Sequence, residues 1–158
     1  MNVDFKFLLS HPAHFFALGF GSGLAPKAPG TFGTLFALGL WLFICHLSLS
    51  LQIVIIFFSF LAGIYFCKKT SEDLGVHDHG AIVWDEFVGF WLTMTFLPVG
   101  FFWLLLGFVA FRIMDILKPW PISLLDKKVK GGFGIMIDDI LAGFLAGIIL
   151  FLINLYLI

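Results

Sequence analysis

The sequence predicts an all-α integral membrane protein, a small bundle of about five transmembrane or membrane-embedded helices preceded by short amphipathic ones. Three observations predict it. Hydrophobic residues make up 61% of the 158 positions and charged residues 12%, with a mean hydropathy of +1.08; soluble domains are about a quarter charged. The stretches Ala28–Cys67, Phe87–Phe111 and Ile140–Ile158 contain no charged residue. A helix needs about 20 apolar residues to cross a bilayer. Finally, the charges collect in the segments between these runs. The length suits one domain, 1–158. A net charge of −1 gives no reason to expect nucleic-acid binding. Asp4 and Lys6 interrupt the N-terminus, so it does not read as a signal peptide.

Residues 1–30 come first. Phe5, Phe7, Leu8 and Leu9, then Phe15, Phe16 and Leu18, suggest short amphipathic pieces on the membrane surface. The glycines and prolines of Gly21–Thr34 argue against a regular helix there. Irregular backbone beside lipid must be buried in protein or line a polar cavity. Two crossings then fit the uncharged run, roughly 31–47 and 51–67, with a turn at Leu47–Leu51. Lys68–Ala81 reads as a polar loop. Pro98 and Gly100 divide the next apolar run into a hairpin of spans, about 82–97 and 100–117. The positive-inside rule favours that hairpin over one kinked span. It keeps Lys6, Lys27, Lys68, Lys69, Lys118, Lys127, Lys128 and Lys130 on one face, with 118–137 as an inside segment. The last span is 139–158. Its Gly143 and Gly147 allow close helix packing, and Asp139 shares their stripe, so this carboxylate should face the bundle. Cys45 and Cys67 read as small core residues, not a disulfide or a metal pair. Nothing in the pattern specifies an oligomeric state.

In this topology the acidic residues gather at the inner face. Asp78, Asp85 and Glu86 stand at the start of the third span. Arg112, Asp115 and Lys118 stand at the end of the fourth, and Asp138 with Asp139 at the mouth of the fifth. Convergent carboxylates without enough thiols or imidazoles favour a hard cation, Mg²⁺ before Zn²⁺. Arg112 and Lys118 suit a phosphate, one as a planar fork and the other as a point charge. The segment around Lys27, Gly30 and Thr31 leads into a helix N-terminus, where free amides can cradle an anion; the same residues also read as a packed turn with Thr31 as N-cap. Arg112 and Asp115, three residues apart, also read as a simple pair. Asp85 and Glu86 diverge by about 100° around a helix, so one of them is expected to face the site, and the same holds for Asp138 and Asp139. His77 and His79 flank Asp78 and read more readily as loop histidines than as ligands. These parts suggest phosphoryl chemistry on a lipid headgroup. The rival reading is a cation- or proton-coupled transporter, but carboxylates gathered at one face suit it poorly. A headgroup transferase would need the spaced signature D-x-x-D-G-x-x-A-R, which is absent.

Four stretches carry a family resemblance: GLAPKAPGTFGT (Gly23–Thr34), HDHGAIVWDEFVG (His77–Gly89), FRIMDILKPWPI (Phe111–Ile122) and GGFGIMIDDILAG (Gly131–Gly143). In these, about a third of the chain, the sequence resembles the phosphatidylglycerophosphatase A family. The resemblance implies a Mg²⁺-dependent lipid phosphatase of the bacterial cytoplasmic (inner) membrane, with its active site facing the cytoplasm. Its substrate would be phosphatidylglycerophosphate, cleaved to phosphatidylglycerol and inorganic phosphate among membrane lipids. On this reading Glu86 and Asp139 hold the metal, with Asp85 or Asp138. Arg112, Lys118, Lys27, Gly30 and Thr31 hold the phosphate. Asp115 or Asp78 positions the attacking water, and a phosphoaspartyl route stays open beside it.

Overall fold

The computed structural model describes residues 2–157, and among them every regular element is helical. Two short helices open the chain, α1 (Phe5–Ser10) and α2 (Pro12–Ala17). Asp4 caps α1, its Oδ1 accepting from the Phe7 amide at 2.8 Å, and His11 caps α2. They are amphipathic as expected, with Phe7 and Leu8 buried while Phe5 and Leu9 stay exposed. A 3₁₀ turn (Gly19–Leu24) follows, in which Phe20 and Gly21 have φ of 57° and 98°. The N-terminal segment is anchored by a buried His14, whose Nε2 lies 2.8 Å from Asp73 Oδ2, and by Phe16 stacked on Phe66.

Five longer helices form the bundle: α3 (Pro29–Ile44), α4 (Leu49–Leu74), α5 (Trp84–Thr95), α6 (Phe101–Leu117) and α8 (Gly131–Leu157). A short α7 (Ile122–Lys128) lies between the last two. Among the described residues only α4 and α8, with 26 and 27 residues, are long and apolar enough to cross a membrane by themselves. At 1.5 Å per residue they are about 40 Å long, whereas α3, α5 and α6 reach only about 18–26 Å, short of a ~30 Å hydrocarbon core.

Several expected boundaries are corrected. The segment expected as a loop from Lys68 continues α4 to Leu74, where Gly75, at φ 68°, ends it. Ser48 caps the other end, accepting from the Leu51 amide. The inner segment 118–137 contains α7 and the first turns of α8, which begins at Gly131, not at 139. Gly132 and Gly134 lie inside this helix and meet backbone closely: a Cβ on Gly132 would overlap the Ile64 carbonyl of α4, and one on Gly134 the Val129 carbonyl. The Pro98–Gly100 break is real and separates α5 from α6.

Helix α5 sits at the centre with α8, and α3, α4 and α6 surround them. Phe87, Val88 and Phe90 are fully buried. Two tryptophans tie α5 outward: Trp84 Nε1 donates to the Ser59 carbonyl at 3.0 Å and Trp91 Nε1 to that of Ala37 at 2.9 Å. Against α8 the contact is backbone to backbone. A Cβ on Gly143 would overlap the Gly89 carbonyl, and Thr93 Oγ1 donates to the Gly143 carbonyl at 3.1 Å. The small-residue stripe of α8 therefore packs as its spacing predicted. Gly143→Ala is expected to destabilise the protein by about 1–3 kcal/mol, because backbone cannot yield as a side chain does. Thermal unfolding in detergent measures it; an unchanged midpoint would contradict the close packing. Both cysteines are buried and free.

Candidate active site

The site is built where three helix ends meet. Helix α5 brings Asp85 and Glu86 on its first turn, α6 brings Arg112 and Asp115 near its last, and α8 brings Asp138 and Asp139 two turns from its start. The α8 pair does not lie at the mouth of the helix as expected. It is about 10 Å inside, with Asp138 2% and Asp139 3% exposed.

Arg112 Nη1 donates to Glu86 Oε1 at 3.1 Å and also to Asp115 Oδ2. The intrahelical Arg112–Asp115 pair foreseen as a bland alternative exists, but the same guanidinium also reaches another helix. Lys118, held at φ 43° at the end of α6, donates to Asp126 Oδ1 and Asp138 Oδ2, each at 2.7 Å. Burial pulls Lys118 down, but these hydrogen bonds and the two carboxylate charges outweigh it. Its pKa therefore stands above the usual lysine value. The same hydrogen bond holds Asp126 below the usual aspartate range.

Two acidic groups result. A shallow one comprises Asp78, Asp126 and Asp138, with one oxygen from each lying within 4.8 Å of the others. In the deep one, Asp139 has Asp115, Asp85, Asp138 and Glu86 as its charged neighbours. Both members of each adjacent pair reach this assembly, contrary to the expectation that one would turn away. The reason is the central position of α5 and α8: side chains 100° apart on a surrounded helix both meet protein.

Arg112 and Lys118 do not balance these carboxylates. Asp85 Oδ1, Glu86 Oε2, Asp138 Oδ1 and Asp139 Oδ2 are buried without a hydrogen-bond partner. Buried charge of one sign is costly unless paired or bound to a metal. An all-oxygen set of unpartnered carboxylates fits a hard cation such as Mg²⁺. Arg112 Nε is likewise buried without an acceptor, which fits an anion.

The glycine segment has a different role from the one expected. Its helix starts at Pro29, after Ala28 at φ 48°, and Thr31 is not the N-cap. The amides of Thr31 and Phe32 both donate to the Ala28 carbonyl, so they are not available as an anion cradle. Instead, Gly30 and Gly33 let Glu86 approach. A Cβ on Gly30 would overlap Glu86 Oε1 and lie 3.0 Å from Arg112 Nη2. Gly30→Ala is expected to lower turnover about ten-fold or more while the protein stays folded, since the Glu86 carboxylate must move. Phosphate release by purified protein checks this, and wild-type turnover would contradict it. Thr31 is half-buried beside Arg112, whereas Lys27 is exposed and makes no ion pair among the described residues. His77 Nε2 accepts from the Gly131 amide and His79 Nδ1 from that of Ala81, so both histidines organise loops. Asp126 was missed by the sequence reading. Its only signal is an acid among the lysines that follow Lys118, and α7 has to fold back before it meets them.

Fold and site together define an all-helical protein with two membrane-length helices and a buried acidic site set among helix ends. The family model described as phosphatidylglycerophosphatase A matches residues 15–154. The chain belongs to the phosphatidylglycerophosphatase A family. It is 49% identical over 146 residues to phosphatidylglycerophosphatase A of Escherichia coli (strain K12), covering 91% of this chain and 85% of that one. It is 47% identical over 156 residues to the Haemophilus influenzae protein of the same name, covering 97% and 95%. No solved structure matches.

Proposed function

We propose that this chain removes the terminal phosphate of phosphatidylglycerophosphate, giving phosphatidylglycerol and inorganic phosphate, in a Mg²⁺-dependent reaction. Family membership makes it a lipid phosphatase acting in phosphatidylglycerol synthesis. Neither the fold nor the comparisons favour transport. The observation that supports the metal reading is the set of unpartnered buried carboxylate oxygens on Asp85, Glu86 and Asp139.

Glu86 and Asp139 would hold Mg²⁺, with Asp85 beside them. Mg²⁺, when bound, screens the phosphate charge and makes a coordinated water more acidic. Arg112 offers its free Nε–H to a phosphoryl oxygen and so favours the charge that develops there. Lys118 spends two of its three donors on Asp126 and Asp138, leaving one for the phosphate. Asp138 and Asp78 stand at the shallow side, where a water can enter, and either accepts its proton. Asp115 holds Arg112 in place.

The membrane arrangement follows the same reading. All five long helices are embedded in a bacterial inner membrane, the shorter three by packing on α4 and α8. The acidic site then faces the cytoplasm, on the side of the lysines. Purified protein in detergent micelles should release phosphate from phosphatidylglycerophosphate with Mg²⁺ and stop on chelation. Release unaffected by chelation would overturn the metal reading, and no release by folded protein the substrate.

A further inference from the structure

We propose that a groove between α3 and α6 receives an acyl chain of the phospholipid substrate, so that the lipid enters sideways from the bilayer with its phosphate leading. The proposal rests on the assignment of Arg112 to the phosphate. The groove has a volume of about 400 Å³, within the ~300–1,000 Å³ of ordinary ligand pockets. Its wall is apolar, formed by Phe108, Val109, Ile113 and Ile116 of α6, and Thr31 and Arg112 border it. Val109, Ile113 and Ile116 recur at i, i+4 and i+7, so they form one stripe along about 10 Å of helix. That stripe runs from the charged end of the bundle, where α6 carries Asp115 and Lys118, toward its apolar middle.

The occupant is chosen by charge. A second apolar groove, lined by Ile53, Phe57, Leu92 and Ile140, meets no charged residue and would suit any lipid chain. The α3–α6 groove is bordered by a cation whose side chain is only 13% exposed and whose Nε–H is buried without an acceptor. A molecule that is anionic at one end and apolar along its length satisfies both features. Free phosphate would satisfy the cation alone, and a neutral lipid the stripe alone. The groove exists because the two helices pack chiefly elsewhere, α3 on α5 and α6 on α8, and touch each other little, which leaves this face of α6 open beside Thr31. Gly30 and Gly33, without side chains, draw α3 onto Glu86 and leave Thr31 facing Arg112 across the opening.

The test compares two phosphatidylglycerophosphates, one with long acyl chains in mixed micelles and one water-soluble with four-carbon chains. Val109→Trp and Ile113→Trp fill the groove with ring. Each should lower the ratio of long-chain to short-chain kcat/KM about ten-fold relative to wild type. Leu61→Trp, on the exposed face of α4, should leave that ratio unchanged. Circular dichroism and detergent gel filtration establish that each variant is folded. An unchanged ratio in both groove variants, or an equal loss on both substrates, overturns the proposal while wild-type turnover keeps the phosphatase reading intact. Wild-type protein inactive on both substrates overturns the two together.

Discussion

Asp139→Asn is expected to lower phosphate release by about 10³-fold, with a folded protein no less stable than wild type. The two halves of this expectation have one cause. Asp139 is surrounded by Asp115, Asp85, Asp138 and Glu86, and its Oδ2 has no partner. Removing its charge relieves repulsion among buried carboxylates, so stability should hold or rise by about 1 kcal/mol. The same change removes an oxygen charge from the proposed cation site. Millimolar Mg²⁺ should raise the unfolding temperature of wild type, since a ligand that binds only the folded state stabilises it. That shift should shrink or vanish in Asp139→Asn. Glu86→Gln should behave alike in activity but not in stability, because it weakens the link to Arg112. Full activity in both variants would sink the metal assignment.

Arg112 gives the second large effect, with the opposite sign on stability. Its guanidinium bridges α6 to Glu86 of α5 and holds Asp115. Arg112→Ala leaves both carboxylates buried without their cation. A stability loss of about 3 kcal/mol is expected, together with loss of activity. Arg112→Lys separates the two roles. It keeps a charge that reaches one carboxylate but loses the planar fork and the Nε–H. Most of the stability should return while kcat/KM stays about 10²-fold below wild type. Unfolding midpoints and steady-state kinetics on the same preparations decide it. An Arg112→Lys enzyme with wild-type kcat/KM would show that the residue only ties helices together.

How far the site could be read in advance differs between residues. Asp139 was legible because Gly143 and Gly147 share its helix face, and a stripe of small residues must meet another helix. Glu86 and Asp85 were legible as site residues, but not as two that both reach the cluster. The expected divergence of 100° is correct for an isolated helix, and what changed its meaning is the burial of α5 on every side. Asp126 was illegible, since its partners Lys118 and Asp138 lie eight and twelve positions away, across a turn and on another helix. Gly30 was read as a phosphate cradle on the strength of its neighbours. Its actual contact, Glu86, is far along the chain and cannot be deduced from local spacing.

The sequence by itself determined the class. Composition and long uncharged runs pointed to an all-helical protein with membrane-length helices, and the segregated charges to a polar site at one end of it, because charge in hydrocarbon is costly. Four motifs in order determined the family. Only the tertiary structure decided which helices are long enough to cross alone, how deep the Asp138–Asp139 pair sits, and which cation each carboxylate meets. Those outcomes depend on distances between helices. Backbone contacts such as Gly89 against Gly143, and the overlap barely avoided at Gly30, set those distances, and a one-dimensional pattern of residues contains no term for them.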